Sequence, residues 1–412
     1  MLIYRILLSI LFLPILFMLI LRSLRGEENW THLKQRFGLD FLEIEDEKPV
    51  LWFHAASNGE LKSAVPVIEN LIKSYSGITL LITSNTVSAT HLAKDLGFKA
   101  QLAPLDYRWA LKRFCIKHQV TRHILMESEI WPNRIKFLHY RKAPILILGA
   151  RISAKSARSW SWLKPLAETT FHKISFLSAQ DKSSLDRFEK LGLNAASIGP
   201  LLNLKSLFRA SRPSQPRNKR ANVCVAVSTH LGEEEILLDA FLIAKKTWPN
   251  LRMIIAPRHP KRSKQIGLLI TSRGLTFVTR SSGKPFVREH HDILLADSLG
   301  EMDLWYAQCG ICIIGGTFGE YGGHTPYEPS AYGCAILHGA HVDNFRHEFN
   351  QLTKSKATVA CREAQELATT LLAMKATSVQ EIHADLVKNA LSAVTEFEQL
   401  MDDVLDILTT DS

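Results

Sequence analysis

Cysteine is scarce, with six residues in a chain of 412. That is too few for a disulfide framework at this length and reads as reduced thiols in a cytoplasmic domain. Cys309 and Cys312 make a CxxC, but they lie in the apolar run Gln308-Cys309-Gly310-Ile311-Cys312-Ile313-Ile314. No second CxxC follows at zinc-finger spacing, so a buried strand is the reading. The chain has no low-complexity tract and no Gly-Lys-Ser/Thr of a Walker A loop. His54, His230, His259 and His324 lack any close metal-ligand spacing, so neither a metal nor a cofactor is expected. Negative charge is in deficit: 40 Asp and Glu against 50 Lys and Arg, a formal net charge of +10. Such a balance favours an anionic partner and leaves open whether that is nucleic acid, a phosphorylated substrate or an acidic membrane.

Long hydrophobic runs are also rare, which sets the N-terminus apart. Ile6 to Leu21 is apolar except for Ser9 and Pro14, and it lies between Arg5 and Arg22. It is marginal in length for a spanning helix, which wants ~20 apolar residues, and no small-residue cleavage site comes after it. The expectation is a membrane anchor over residues 1–25. Arg22, Arg25, Lys34 and Arg36 then place the domain after the anchor on the cytoplasmic side of the membrane. A core helix packed under the first domain is the competing reading.

Beyond the anchor, strands and helices alternate. Pro49–His54 reads as a buried strand, and Asn58-Gly59-Glu60 opens an amphipathic helix through Leu61, Val65, Ile68 and Ile72. Apolar runs at Ile78–Thr83, Gln101–Leu105, His123–Met126 and Pro144–Leu148 continue the alternation, which indicates βαβ units and a parallel sheet. The pattern stops over the basic, Ser- and Pro-containing stretch 206–221, the expected linker, which lacks an aromatic platform for RNA. It restarts with strands at Val223–Val227, Arg252–Ala256, Leu275–Thr279, Asp292–Leu295, Gly310–Ile314 and Ala335–Leu337. Two α/β domains are therefore expected, over 26–205 and 222–412, both Rossmann-like and facing a ligand cleft. That outline is the GT-B arrangement of glycosyltransferases, and other two-domain binding proteins share it.

Polar and charged residues gather where strands end. In His54-Ala55-Ala56-Ser57-Asn58-Gly59-Glu60, a strand runs into a helix start whose free N–H groups can hold an anion. Glu60 falls in the first turn, where the helix dipole favours its ionised form, suited to taking a proton from a hydroxyl. Ordinary first-turn capping is the bland alternative. In Gly315–Pro329, glycine pairs permit close approach to a phosphate, His324 and Thr325 offer donors, and Glu328 can accept from ribose hydroxyls. Arg258 and His259 follow a strand, and Ser228 and Thr229 precede the acidic triplet Glu233-Glu234-Glu235. Ser228 and Thr229 are expected to cap that helix and face the cleft, and with His259 and Arg258, a forked donor for phosphate or carboxylate, to form part of the donor-binding side. Glu127 and Glu129, in Met126-Glu127-Ser128-Glu129-Ile130-Trp131-Pro132-Asn133, are read as an alternative acid–base pair or as organisers of helix N-termini.

These segments, in this order, resemble the Kdo transferases of lipopolysaccharide synthesis, Kdo being 3-deoxy-D-manno-octulosonic acid. The resemblance runs from Gln35-Arg36-Phe37-Gly38 through HAASNGE, ESEIWPN, Gly149-Ala150-Arg151-Ile152-Ser153, Ser178-Ala179-Gln180-Asp181, STHLGEEE, APRHP and Leu295–Glu301 to GGHTPYEP and Asn344-Phe345-Arg346. It implies a GT-B fold, the donor CMP-Kdo, inversion at the anomeric carbon, a lipid A precursor (lipid IVA) as acceptor, and no metal in the transfer. It assigns Glu60 as general base. Arg258 matches a donor-contacting arginine, and Gly322, Gly323, His324 and Glu328 match the nucleotide loop. Asn344 and Glu348 match an Asn-Phe-x-x-Glu segment near the donor. Ser57, Asn58 and Gly59 fall to the acceptor side or to structure. Two departures stand out: Thr325 replaces the family's usual Asn, and Lys205 sits in an altered Gly-Asn-Leu-Lys segment. Anionic inner-membrane lipids are the expected further partner, and nucleic acid is not. The rival readings are a paralogous transferase with another nucleotide sugar or acceptor and, from another class, a non-catalytic RNA-binding or scaffold protein at the membrane.

Overall fold

The computed structural model describes residues 1–43 and 48–410. The chain divides into two compact units, one of residues 1–207 with 393–412, the other of residues 208–392.

The first unit is built on six parallel strands: β1 (Val50–His54), β2 (Thr79–Ser84), β3 (Ala100–Leu102), β4 (Val120–Met126), β5 (Ile145–Ala150) and β6 (Phe176–Ala179). Their order across the sheet is β3-β2-β1-β4-β5-β6. Every residue of β1 and β5 is buried, as expected of central strands covered on both faces. The order reverses direction between β1 and β4, and a parallel α/β sheet opens a crevice at the carboxyl ends of such a pair. The helix start holding Glu60 and the loop holding Glu127 follow there.

The second unit has seven parallel strands: β7 (Val223–Thr229), β8 (Arg252–Pro257), β9 (Phe277–Thr279), β10 (Ile293–Leu295), β11 (Ile311–Ile314), β12 (Ala335–His338) and β13 (Thr358–Ala360). Their order is β13-β12-β11-β7-β8-β10-β9. The reversal here lies between β7 and β11, whose trailing loops are residues 230–232 and 315–326. Cys309 and Cys312 are buried in and beside β11, as the CxxC reading expects, and all six cysteines are free.

Two features differ from the sequence expectation. The helix Val394–Thr409 packs Leu400, Met401, Val404 and Leu408 into the core of the first unit, not the second. Its apolar positions recur at helical spacing, but sequence cannot say which sheet they cover. The expected linker is partly ordered within the second unit: Phe208 packs on its core, and Arg220 is buried with its Nε donating to the Cys309 carbonyl at 2.6 Å. The apolar N-terminus forms one helix, Leu2–Leu24, long and apolar enough to cross a membrane, which is consistent with the expected anchor. It also packs along the first unit, through Leu19 against Leu33 and Phe37.

Candidate functional site

In the first unit, β1 ends at His54 and the chain enters the helix Asn58–Ser74 through Ser57, the N-cap, whose Oγ accepts the Glu60 N–H at 3.3 Å. The Glu60 side chain turns back on the same bend. Its Oε2 accepts the Ala56 N–H at 2.9 Å, while Oε1 has only a 3.5 Å approach from the Ser57 hydroxyl. Capping thus occupies one carboxylate oxygen and leaves the other nearly free. Burial pushes this carboxyl up to about 7, against the Ala56 hydrogen bond, and the charges of Glu127 and Glu129 add to the rise. An acid of that strength is half ionised near neutrality, where a general base works best.

Glu127 and Glu129 follow β4. Glu127 has φ +52°, the left-handed region that non-glycine residues rarely occupy, and its Oε1 pairs with Lys205 Nζ at 3.4 Å. Glu129 accepts from Asn85 Nδ2 at 3.0 Å and from Trp131 Nε1 at 2.7 Å. Neither carboxylate caps the helix Pro132–Tyr140. That task falls to Asp106, which accepts the N–H of Asn133 at 2.9 Å and of Arg134 at 2.7 Å. Asp106 comes from another loop and sits 27 residues away in sequence from Asn133, so no local capping pattern signals it. Asn58 and Gly59 are exposed on the same turn, with Asn58 Nδ2 3.5 Å from Ser88 Oγ.

In the second unit, the glycine loop after β11 already holds an anion, and it belongs to the protein. The buried carboxylate of Glu233 accepts from the N–H groups of His230 at 2.8 Å, Gly316 at 2.8 Å and Phe318 at 2.9 Å. A carboxylate in a nest of three amides ties the loop after β7 to the loop after β11. Gly315 is needed for this approach, because a Cβ there would stand 2.5 Å from the Val227 carbonyl oxygen. The acidic triplet is therefore more than a charged first turn. Beside it, the buried Glu234 accepts from Thr229 Oγ1 at 2.8 Å and from both ends of the Arg262 fork at 2.9 Å.

Ser228 and Thr229 do not cap the helix Glu233–Thr247. Its N-cap is Gly232 at φ +92°, and Thr229 is fully buried on Glu234. Ser228 bulges out of β7 at φ +53°, so each unit carries one strained residue at the end of a switch-point strand. Arg258 and His259 are exposed after β8, and the Arg258 guanidinium has no ion pair among the described residues. Three imidazoles meet here. His230 lies 3.1 Å, Nε2 to Nε2, from His324, its ring stacks on Tyr321 with centroids 4.1 Å apart, and the His259 ring is 6.0 Å away. Burial, then the neighbouring charges of His230 and Arg258, lower His324 to about 4, so it is neutral at pH 7. One nitrogen of the His230–His324 contact must then carry the shared hydrogen.

Gly322 and Gly323, at φ +81° and +79°, turn the loop back under Asn344. The Asn344 amide donates to the carbonyls of Tyr321 at 3.1 Å and Gly323 at 3.3 Å, so it braces the loop. Thr325 Oγ1 accepts the Tyr327 N–H at 3.3 Å, which engages the hydroxyl that stands in place of the family's amide. Glu328 is half-buried, 3.4 Å from Tyr306 Oη, and the buried Glu348 accepts from Tyr327 Oη at 3.2 Å.

Two parallel-sheet α/β units, each with a polar loop cluster at its switch point, define a protein of the GT-B glycosyltransferase fold. A glycosyltransferase from Rickettsia africae shares that fold at a TM-score of 0.57 and 11% identity, covering 89% of this chain and 100% of that one. Residues 31–208 match the family described as 3-deoxy-D-manno-octulosonic-acid transferase (kdotransferase). The 3-deoxy-D-manno-octulosonic acid transferase of Haemophilus influenzae is 31% identical over 325 residues, 74% of each chain. A probable mitochondrial 3-deoxy-D-manno-octulosonic acid transferase of Arabidopsis thaliana is 33% identical over 79% of this chain and 76% of that protein. The chain belongs to the Kdo transferase family and is a glycosyltransferase.

Proposed function

We propose that the chain transfers Kdo from CMP-Kdo, with inversion, to a sugar hydroxyl of a lipid A precursor, at an inner membrane whose anionic lipids the basic chain meets from the cytoplasmic side. The observation that carries the reading is the state of Glu60: a carboxyl raised to about 7 at the β1 switch-point end, with one oxygen nearly unengaged. As the acceptor hydroxyl attacks the anomeric carbon, Glu60 takes its proton, and CMP leaves from the opposite face. In the second unit, the exposed Arg258 is the cation for the departing phosphate, and Gly322, Gly323, His324, Thr325 and Glu328 line the nucleotide side. Family membership supports the sugar, and the electrostatics support the base. No metal or cofactor takes part in this scheme.

The test is Glu60→Gln in the full chain. Gln keeps an oxygen for the Ala56 N–H, so CMP binding is expected to persist while transfer from CMP-Kdo falls by 10²-fold or more, roughly the general-base contribution. Transfer at the wild-type rate would refute the role of Glu60. A donor panel tests the sugar: transfer from a UDP-sugar and none from CMP-Kdo would favour a paralogous activity, for which Thr325 is the residue to examine first.

A further inference from the structure

The N-terminal helix is in contact with the first unit from end to end. Tyr4 Oη donates to Asp106 Oδ2 at 2.8 Å, Arg5 Nε to Asn133 Oδ1 at 3.2 Å, and Tyr107 Oη to the Leu8 carbonyl at 3.0 Å. Phe12 packs edge-on to Tyr107, centroids 5.6 Å apart, and beside Phe37 at 6.0 Å. Leu19 is buried, and Arg22 pairs with Glu27 and Glu28 just past the helix end. Residues 4, 8, 12, 15, 19 and 22 repeat at three- and four-residue steps, so these contacts form one face about 27 Å long at 1.5 Å per residue.

The opposite face carries its own repeat. Ile3, Ile6, Ile10, Leu13, Phe17 and Leu24 are 64, 50, 66, 70, 64 and 74% exposed. A bilayer's hydrocarbon core is about 30 Å thick. A helix crossing it would need its docked face, over nearly that whole length, to leave a domain bearing Asp106, Asn133 and Glu28. The helix Arg108–Lys117 beside it presents Arg108, Lys112, Arg113 and Lys117 to solvent, with no acidic residue. Its Trp109 stacks on Phe37 at 5.7 Å, and Trp30 is 61% exposed nearby in sequence to the docked helix end. An apolar stripe flanked by cations and indole rings matches the chemistry of an anionic lipid–water interface.

We infer that the helix Leu2–Leu24 does not span the bilayer but lies flat in its surface, sealed to the first unit on one face and sunk into anionic lipid on the other. The inference rests on the membrane attachment proposed above and is independent of the sugar transferred. On it, both ends of the helix remain on the side of the catalytic units, and Tyr4–Asp106 and Tyr107–Leu8 fasten it there.

Two measurements on the full chain test this. A cysteine placed in a short extension before Met1, in sealed inverted inner-membrane vesicles, should react with an impermeant maleimide as readily as a control cysteine at the exposed Lys190. Labelling of the control with protection of the extension until detergent is added would mean a spanning helix and overturn the inference. Second, binding to phosphatidylcholine vesicles should strengthen when phosphatidylglycerol is included, and Lys112→Glu with Arg113→Glu should weaken that binding at least about tenfold. Equal binding to both vesicle types, or a lipid-independent oligomer abolished by Ile10→Ser with Phe17→Ser, would overturn it too. Neither readout requires sugar transfer, so a wrong donor would leave both results intact.

Discussion

The carboxylate of Glu233 receives the backbone N–H of Gly316 at 2.8 Å across 83 residues of sequence, and so joins the two loops at the switch point of the second sheet. A glycine loop that looks built for a ligand phosphate spends two of its amides, Gly316 and Phe318, on the protein's own acid. Glu233→Gln keeps one oxygen but turns an NH2 toward a backbone donor. A loss of about 1–3 kcal/mol in unfolding free energy is expected, the cost of leaving a buried donor unmet. Denaturant unfolding checks it, together with a weaker affinity for CMP as the loop loosens.

Glu60 ties activity to pH. As a base it works only when ionised, so the transfer rate should rise with pH through about 7 and level off above it. Stability runs the other way. The folded acid holds its proton to a higher pH than the ordinary glutamate value of 4.5, so the native state binds more protons between about 4.5 and 7 and loses stability as pH rises through that window. Glu60→Gln should therefore be inactive yet more stable than wild type at pH 8, by on the order of 1–3 kcal/mol. Melting curves of both proteins at pH 5 and pH 8, roughly the two ends of the window, measure the difference. Equal destabilisation by pH in both would count against Glu60 as the group responsible.

The negative charge of Glu127 adds to the upward shift of the Glu60 carboxyl. Glu127→Gln removes that charge and should move the acid limb of the rate profile to lower pH while leaving its shape intact. A pH profile that stays in place would mean that burial and Glu129, without Glu127, set Glu60.

Arg262 forks onto Glu234, whose side chain is fully buried against an 18% exposed arginine. Arg262→Met strands a buried charge, and breaking such a pair costs about 3–5 kcal/mol. Arg262→Met with Glu234→Gln should recover part of that loss, which a double-mutant unfolding series would measure.

Much of the fold was legible because buried parallel strands are continuous apolar runs: β1 and β11 fall within segments read from sequence, and β4, β5 and β7 overlap theirs but run two or three residues further. Strands β6 and β13, with four and three residues, carry too little apolar sequence to stand out. The Glu60 turn was legible because its caps are local, within four residues. The Glu233 nest, the Asp106 cap and the Asn344 brace were not, because each joins residues more than twenty positions apart. Their donors are backbone amides or side chains whose partners only the sheet order brings near. Thr229 misled for a related reason: a hydroxyl at a strand end looks available until the fold sets Glu234 beside it.

The helix Val394–Thr409 lays Leu400, Met401, Val404 and Leu408 on the core of a unit whose sheet is complete by Ala179. On the ribosome, that sheet is finished more than two hundred residues before its last covering element is made. At roughly 5–20 residues per second, the first unit waits about ten seconds or more with an apolar face bare while the whole second unit emerges. A stop codon soon after residue 392 would leave that face uncovered for good, and a chain that carried every residue of the Glu60 and Glu233 clusters would be prey to proteases.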